Sequence, residues 1–105
     1  MSDEKDPRED GQLLTRKRTQ TRKPRMYKVL LHNDDYTPME FVVAILQQVF
    51  HLGDVDATQV MLHVHNNGVG LAGTYTYEIA ETKMQQVLAN AERHEFPLQC
   101  SMEPE

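Results

Sequence analysis

A chain of 105 residues with a formal charge of −5 is long enough for one small domain with a single core, and too short for two. Its one cysteine, Cys100, excludes an internal disulfide and a thiolate-based zinc motif. The longest apolar run, 41–50, is about half of what a bilayer needs and is broken by Gln47 and Gln48, so no membrane span is expected.

The opening MSDEKDPRED lacks the apolar segment of a secretion signal, and the expected location is cytoplasmic. Charge is unevenly placed. Residues 1–10 hold five acids and two bases, residues 11–25 six bases and no acid, and residues 26–105 eleven acids against three bases. An acidic body argues against nucleic acid as its main partner and suits a cationic ligand or a basic protein surface. Residues 1–25 offer almost no large apolar side chain beyond Leu13 and Leu14. Burial there cannot offset the entropy of ordering, so a disordered N-terminal extension is expected, followed by a core domain over residues 26–105.

From Met26 onward the pattern is periodic. Tyr27, Val29 and Leu31 alternate with Lys28, Leu30 and His32, which predicts a half-buried strand over 27–32. The stretch TPME then reads as a helix start, with Thr37 as cap, Pro38 in the first helical position and Glu40 three residues after the cap. Val42, Ile45, Leu46, Val49 and Phe50 recur at helical spacing, and Gly53 is expected to end the helix in a left-handed conformation. Asp54 is the expected cap of a second helix that buries Ala57, Val60, Met61 and Val64 and stops at the NNG of 66–68.

Val69, Leu71 and Tyr75 mark a second strand. A third helix is expected from about 77 to 94, burying Ile79, Ala80, Met84, Val87, Leu88 and Ala91. Leu98, Cys100 and Met102 alternate in a third strand. The order β-α-α-β-α-β predicts an α+β fold, with three helices on one face of a small three-stranded, antiparallel sheet.

Two clusters of polar residues could carry chemistry. His63 and His65 would share a face on a strand, but in a helix they point about 200° apart. Met61 and His65, four apart, do share a helical face, flanked by Val64. A histidine there also suits the carbonyl end of a helix. The Asn33-Asp34-Asp35 run after the first strand is ordinary turn chemistry. Two adjacent carboxylates could equally act in acid-base catalysis or hold a hard cation. No Gly-rich phosphate loop, no nucleophile beside a base and no calcium-loop spacing accompanies them.

Three blocks, MYKVLLHNDDYTPMEFV, ATQVMLHVHNNG and YEIAETK, occur in an order that resembles the ClpS family. These are adaptors that deliver N-degron substrates to the ClpA unfoldase of the ClpAP protease. The resemblance covers residues 26 to about 102. It implies a protein, not an enzyme, that binds the free N-terminus of a polypeptide beginning with Leu, Phe, Tyr or Trp. By that likeness Asn33, Asp34, Asp35 and His65 would surround the α-amino group. Thr37, Met39, Val42, Met61, Val64 and Leu98 would line the side-chain pocket, with Met39 as a gatekeeper against β-branched residues. Glu78 and Lys83 would contact the N-terminal domain of ClpA, and the extension would be engaged by the unfoldase. No cofactor, metal, nucleic acid or membrane is implied, and a monomer is expected.

Two other readings compete. A metal-dependent hydrolase would draw on His32, Asp34, Asp35, His63 and His65. A nucleic-acid or ribosome-associated module would work through the basic stretch of the extension, since the element order also looks like the C-terminal domain of the ribosomal stalk protein.

Overall fold

The computed structural model describes residues 23–105. The expected disorder of residues 1–25 therefore falls almost wholly outside the described residues, and 23–25 belong to no helix or strand. The elements are β1 (Met26–His32), α1 (Met39–Gln48), α2 (Asp54–Asn67), β2 (Val69–Thr76), α3 (Tyr77–Arg93) and β3 (Gln99–Pro104), the order read from the sequence. The sheet order is β2-β1-β3, and β1 pairs antiparallel with both neighbours. Central placement follows from composition. The inward Val29 and Leu31 of β1 are fully buried, and they meet Ile45, Leu46 and Val87 in a core that the helices close from one side.

Both expected caps at the starts of the helices fall elsewhere. Pro38, not Thr37, is the residue before α1; it is extended (φ −65°, ψ 147°), and no side chain caps the helix. The Pro38 carbonyl instead accepts from the amides of Phe41 and Val42, at 3.1 and 3.2 Å. Thr37 stands one residue before that position, and its hydroxyl donates backwards to Asp34, at 2.7 Å. After α1 the left-handed residue is His51 (φ 59°) rather than Gly53. Gly53 is extended, and its carbonyl accepts from Ala57 at 2.9 Å to begin α2. Asp54 is thus the first helical residue and not the cap; it accepts from the Gln47 side chain and so joins the end of α1 to the start of α2. With Asp56 it places two carboxylates at the positive end of the helix dipole. The other end of α2 is as expected, with Gly68 at φ 90° and its amide donating to Val64.

The alternation assumed for β2 breaks at one point. Val29 faces Gly73 while Leu30 faces Leu71, so Ala72 is an extra residue, a β-bulge, and the phase of the strand reverses there. Before the bulge Gly70 and Ala72 point inward, leaving Val69 and Leu71 on the exposed face. After it Tyr75 turns to the core side, opposite Tyr27, its phenol lying over Gly73 where a Cβ would collide with it. Helix α3 buries Ala80, Val87 and Ala91 and packs Met84 and Leu88 against the core. Ile79, expected inside, is 50% exposed, because it sits one residue, about 100° of helix, before the buried Ala80.

Candidate functional site

The end of β1 is tied to the end of α2. The Asn33 amide donates to the Gly68 carbonyl at 2.9 Å, which carries the strand's pairing one residue beyond His32. The chain then turns on Asp34. One carboxylate oxygen, Oδ1, accepts from the amides of Tyr36 and Thr37, both at 2.8 Å, and Oδ2 accepts from the Thr37 hydroxyl. Burial pushes the Asp34 carboxyl up, and these three hydrogen bonds outweigh it, holding the group below its ordinary value. The turn delivers the chain to Pro38 and launches α1 beside the Asn33 loop.

Two helices close the remaining sides. Val42 on α1 and Met61 and Val64 on α2 are buried and present aliphatic surface, while Met39, at the first position of α1, is 42% exposed. His65 follows Met61 by one helical turn on the same face. Together with Asn33, Asp34, Asp35 and Thr37 these residues line a cavity of about 260 Å³. That is slightly below the range of pockets for drug-sized ligands, and suits a single residue. Its floor is aliphatic and fixed in the core; its polar side carries an amide, two carboxylates and an imidazole. Among the described residues, no hydrogen bond or ion pair occupies the side chains of Asn33, Asp35 or His65.

Nine of the residues named from sequence thus meet at one cavity. Leu98 does not. It lies just before β3, 3% exposed in the core, outside the lining. Glu78 and Lys83 are on α3, away from the lining. Glu78 is exposed in the first turn, next to the half-exposed Tyr77 and Ile79. Lys83 turns inward, donating from Nζ to the Val49 carbonyl at 2.7 Å, with its ammonium 5.3 Å from the centre of the Tyr75 ring. The anchoring of Lys83 was not legible in sequence, since the free carbonyl it satisfies exists only once α1 has ended.

The histidines that the hydrolase reading draws on are dispersed, as the helical spacing of His63 and His65 implies. His32 Nε2 lies 2.7 Å from the Ser101 hydroxyl, and His63 Nδ1 lies 3.1 Å from the Asn67 side chain. Among the described residues, no three His, Cys, Asp or Glu side chains are grouped to hold a metal ion. Of the hydrolase set, Asp34, Asp35 and His65 line the cavity, whereas His32 and His63 are outside the lining and bonded elsewhere. Likewise no described helix is long and apolar enough to cross a membrane.

Comparison with known proteins points the same way as the cavity. A family model described as the ATP-dependent Clp protease adaptor protein ClpS matches residues 22–101. The ATP-dependent Clp protease adapter protein ClpS of Desulfatibacillum aliphaticivorans is 59% identical over 101 residues, 95% of this chain and 97% of that protein. That of Myxococcus xanthus is 63% identical over 84 residues, 80% and 78% of the two chains. Among solved structures, Agrobacterium tumefaciens ClpS2 bound to L-phenylalaninamide superposes with a TM-score of 0.76 at 38% identity, covering 79% of this chain and 100% of that one. With a family match across three quarters of its length and relatives near 60% identity, the chain belongs to the ClpS family of adaptors of the ATP-dependent Clp protease.

Proposed function

We propose that this adaptor binds the first residue of other polypeptides when that residue is Leu, Phe, Tyr or Trp, and passes them to the ClpA unfoldase of the ClpAP protease. One observation carries the reading: acceptors that no described residue engages and an aliphatic floor share a cavity the size of one residue. A chain N-terminus has a pKa of about 7.7–8.0, so at neutral pH it is mostly an ammonium with three donors. Asn33 offers a carbonyl oxygen, the aspartates carboxylates, and neutral His65 a ring nitrogen. An internal residue presents one backbone donor and no charge, so the polar side selects a free terminus. Charge-assisted hydrogen bonds are about twice as strong as neutral ones, which widens that preference.

The apolar side selects the residue. Burying an aromatic side chain of about 150–250 Å² at ~25 cal/mol per Å² yields roughly 4–6 kcal/mol before association costs. Val42, Met61 and Val64 supply that surface. The Agrobacterium relative was solved with L-phenylalaninamide. That ligand has a free amine, an aromatic side chain and an amide where a carboxylate would be, the chemistry of a peptide's first residue.

For delivery, exposed Glu78 and its apolar neighbours Tyr77 and Ile79 form a surface suited to the ClpA N-terminal domain. Lys83 supports that helix by holding the end of α1. In this reading the adaptor works in the cytoplasm, as a monomer and without a cofactor.

A peptide panel differing only in the first residue tests the proposal by fluorescence anisotropy. Leu, Phe, Tyr and Trp peptides are expected to bind on the order of tenfold or more tighter than Ala or Gly peptides. Degradation by reconstituted ClpAP should follow the same ranking. Equal affinities across the panel would overturn the reading.

A further inference from the structure

We infer that the basic stretch of the N-terminal extension, residues 16–25, lies over the half-exposed start of α3 in its own chain and is displaced when a partner takes that face. The docking stands apart from the proposed function; the displacement rests on it, because this face is the one assigned above to the ClpA N-terminal domain.

Three elements meet where the extension joins the domain. Met26 pairs with Thr76, the residue before α3, and its carbonyl accepts from the Glu105 amide at 2.9 Å. The Tyr27 and Tyr77 rings pack edge to face with 5.1 Å between their centres. The first turn of α3 and the end of β3 therefore flank the root of the extension. Tyr77 and Ile79 are each 50% exposed there, an apolar face that no other element covers. Glu78, Glu103 and Glu105 are exposed around it, and Glu81 is half-buried.

The domain does not neutralise these acids from within. Residues 26–105 hold three bases, each already engaged: Lys28 lies 3.6 Å from Glu103, Lys83 donates to the Val49 carbonyl, and Arg93 donates to Asn90. Among the described residues nothing is bonded to the carboxylates of Glu78, Glu81 or Glu105. The stretch 16–25 carries six bases and no acid, and it ends one residue before Met26.

Length permits the contact. At up to about 3.3 Å per residue the stretch reaches roughly 30 Å from its root, whereas the first two turns of α3 are about 11 Å long. Exposed charges attract within a Debye length of about 10 Å at 0.1 M salt, so the stretch is confined without folding, in keeping with its lack of apolar residues. Arginine also stacks on aromatic rings, and Tyr77 offers one. A partner that binds the start of α3 must displace the stretch, and so frees the extension at the moment of docking.

A spin label at residue 19 of the full chain tests this. Thr19→Cys can be labelled alone, because Cys100 is buried and its thiol is pushed up to about 12. In about 50 mM salt the amide signals of 77–82 and 103–105 are expected to broaden more than those of Asn33 and His65 at the pocket end, and to recover in about 0.5 M salt. Replacing three acids together (Glu81→Gln, Glu103→Gln and Glu105→Gln) should weaken the broadening and tighten binding to ClpA on the order of twofold to fivefold at low salt. Signals that stay sharp, or a broadening indifferent to salt, overturn the docking. So does equal broadening of isotope-labelled chains mixed with spin-labelled ones, which would assign the stretch to a second copy. Equal ClpA affinity of wild type and triple variant, with the broadening weakened, overturns the displacement. ClpA that binds neither protein would defeat the proposed function instead, while the broadening still decides the docking.

Discussion

The backbone of Asn33 is bonded to the backbone of Gly68, amide to carbonyl, at 2.9 Å. Residues 35 apart in sequence are thereby fixed side by side, one at the end of β1 and the other just past α2. This bond is what puts Asn33 at the same cavity as His65, three residues before Gly68.

Gly68 holds the geometry with φ at 90°, a value that side chains disfavour. Nothing lies within 4 Å of where a Cβ would stand, so Gly68→Ala should cost backbone strain alone, about 1–2 kcal/mol. Urea unfolding would register this as a lower midpoint with an unchanged slope. A midpoint equal to the wild type would show that the left-handed turn is not under strain.

Gly70→Ala should do more damage. Its Cβ would come within 2.6 Å of the Val64 Cγ2 atom, and Val64 is a stiff, buried residue of the cavity floor. Overpacking of this kind costs about 1–3 kcal/mol, and here it pushes on the helix that carries Met61 and His65. Both thermal stability and peptide affinity are expected to fall together. An affinity loss with full stability, or the reverse, would mean that α2 does not move as a unit.

Acid should weaken the loop through Asp34. Its folded carboxyl lies below its ordinary value, so the ionised form is the one the fold prefers. The stabilisation is complete above the unfolded value, about 3.9, and is lost as pH falls through the lower folded one. Wild type should therefore be more stable than Asp34→Asn at pH 7, with the gap closing towards pH 3. Denaturation curves at the two pH values check this; a gap that widens in acid would contradict it.

Met39 stands half out of the cavity at the start of α1. Truncation in Met39→Ala should open the entrance and admit peptides beginning with Ile or Val, raising their affinity on the order of tenfold relative to Leu peptides. Competition binding with Leu, Ile and Val peptides reads the change. Unaltered ranking would remove Met39 from the gatekeeper role.

Periodicity carried most of the architecture, because Val29, Leu31, Ile45, Leu46 and Val87 repeat at the spacing of their elements and all are fully or nearly fully buried. What local pattern missed arose from contacts between elements. Thr37 looks like a cap, but α1 starts one residue later, after Pro38, and Ile79 looks like core although it precedes the buried Ala80 by about 100° of helix. At the site, spacing alone paired Met61 with His65 but left Asn33-Asp34-Asp35 as an ordinary turn. That turn and α2 are far apart in the chain, and only the family likeness brought them together before the fold did. Leu98, which the likeness counted with the pocket, is a buried core residue in the same cluster as Val42, Met61 and Val64, and is not among the residues lining the cavity.

The central claim is that Asn33, Asp35 and His65 receive a charged chain terminus. Calorimetric titration with a Leu-starting peptide and its N-acetylated twin at pH 7 addresses it most directly, since acetylation removes the charge and two of three donors while leaving the side chain untouched. Micromolar binding of the free peptide with loss of measurable binding by the acetylated one is the expected result. Equal affinities would contradict it.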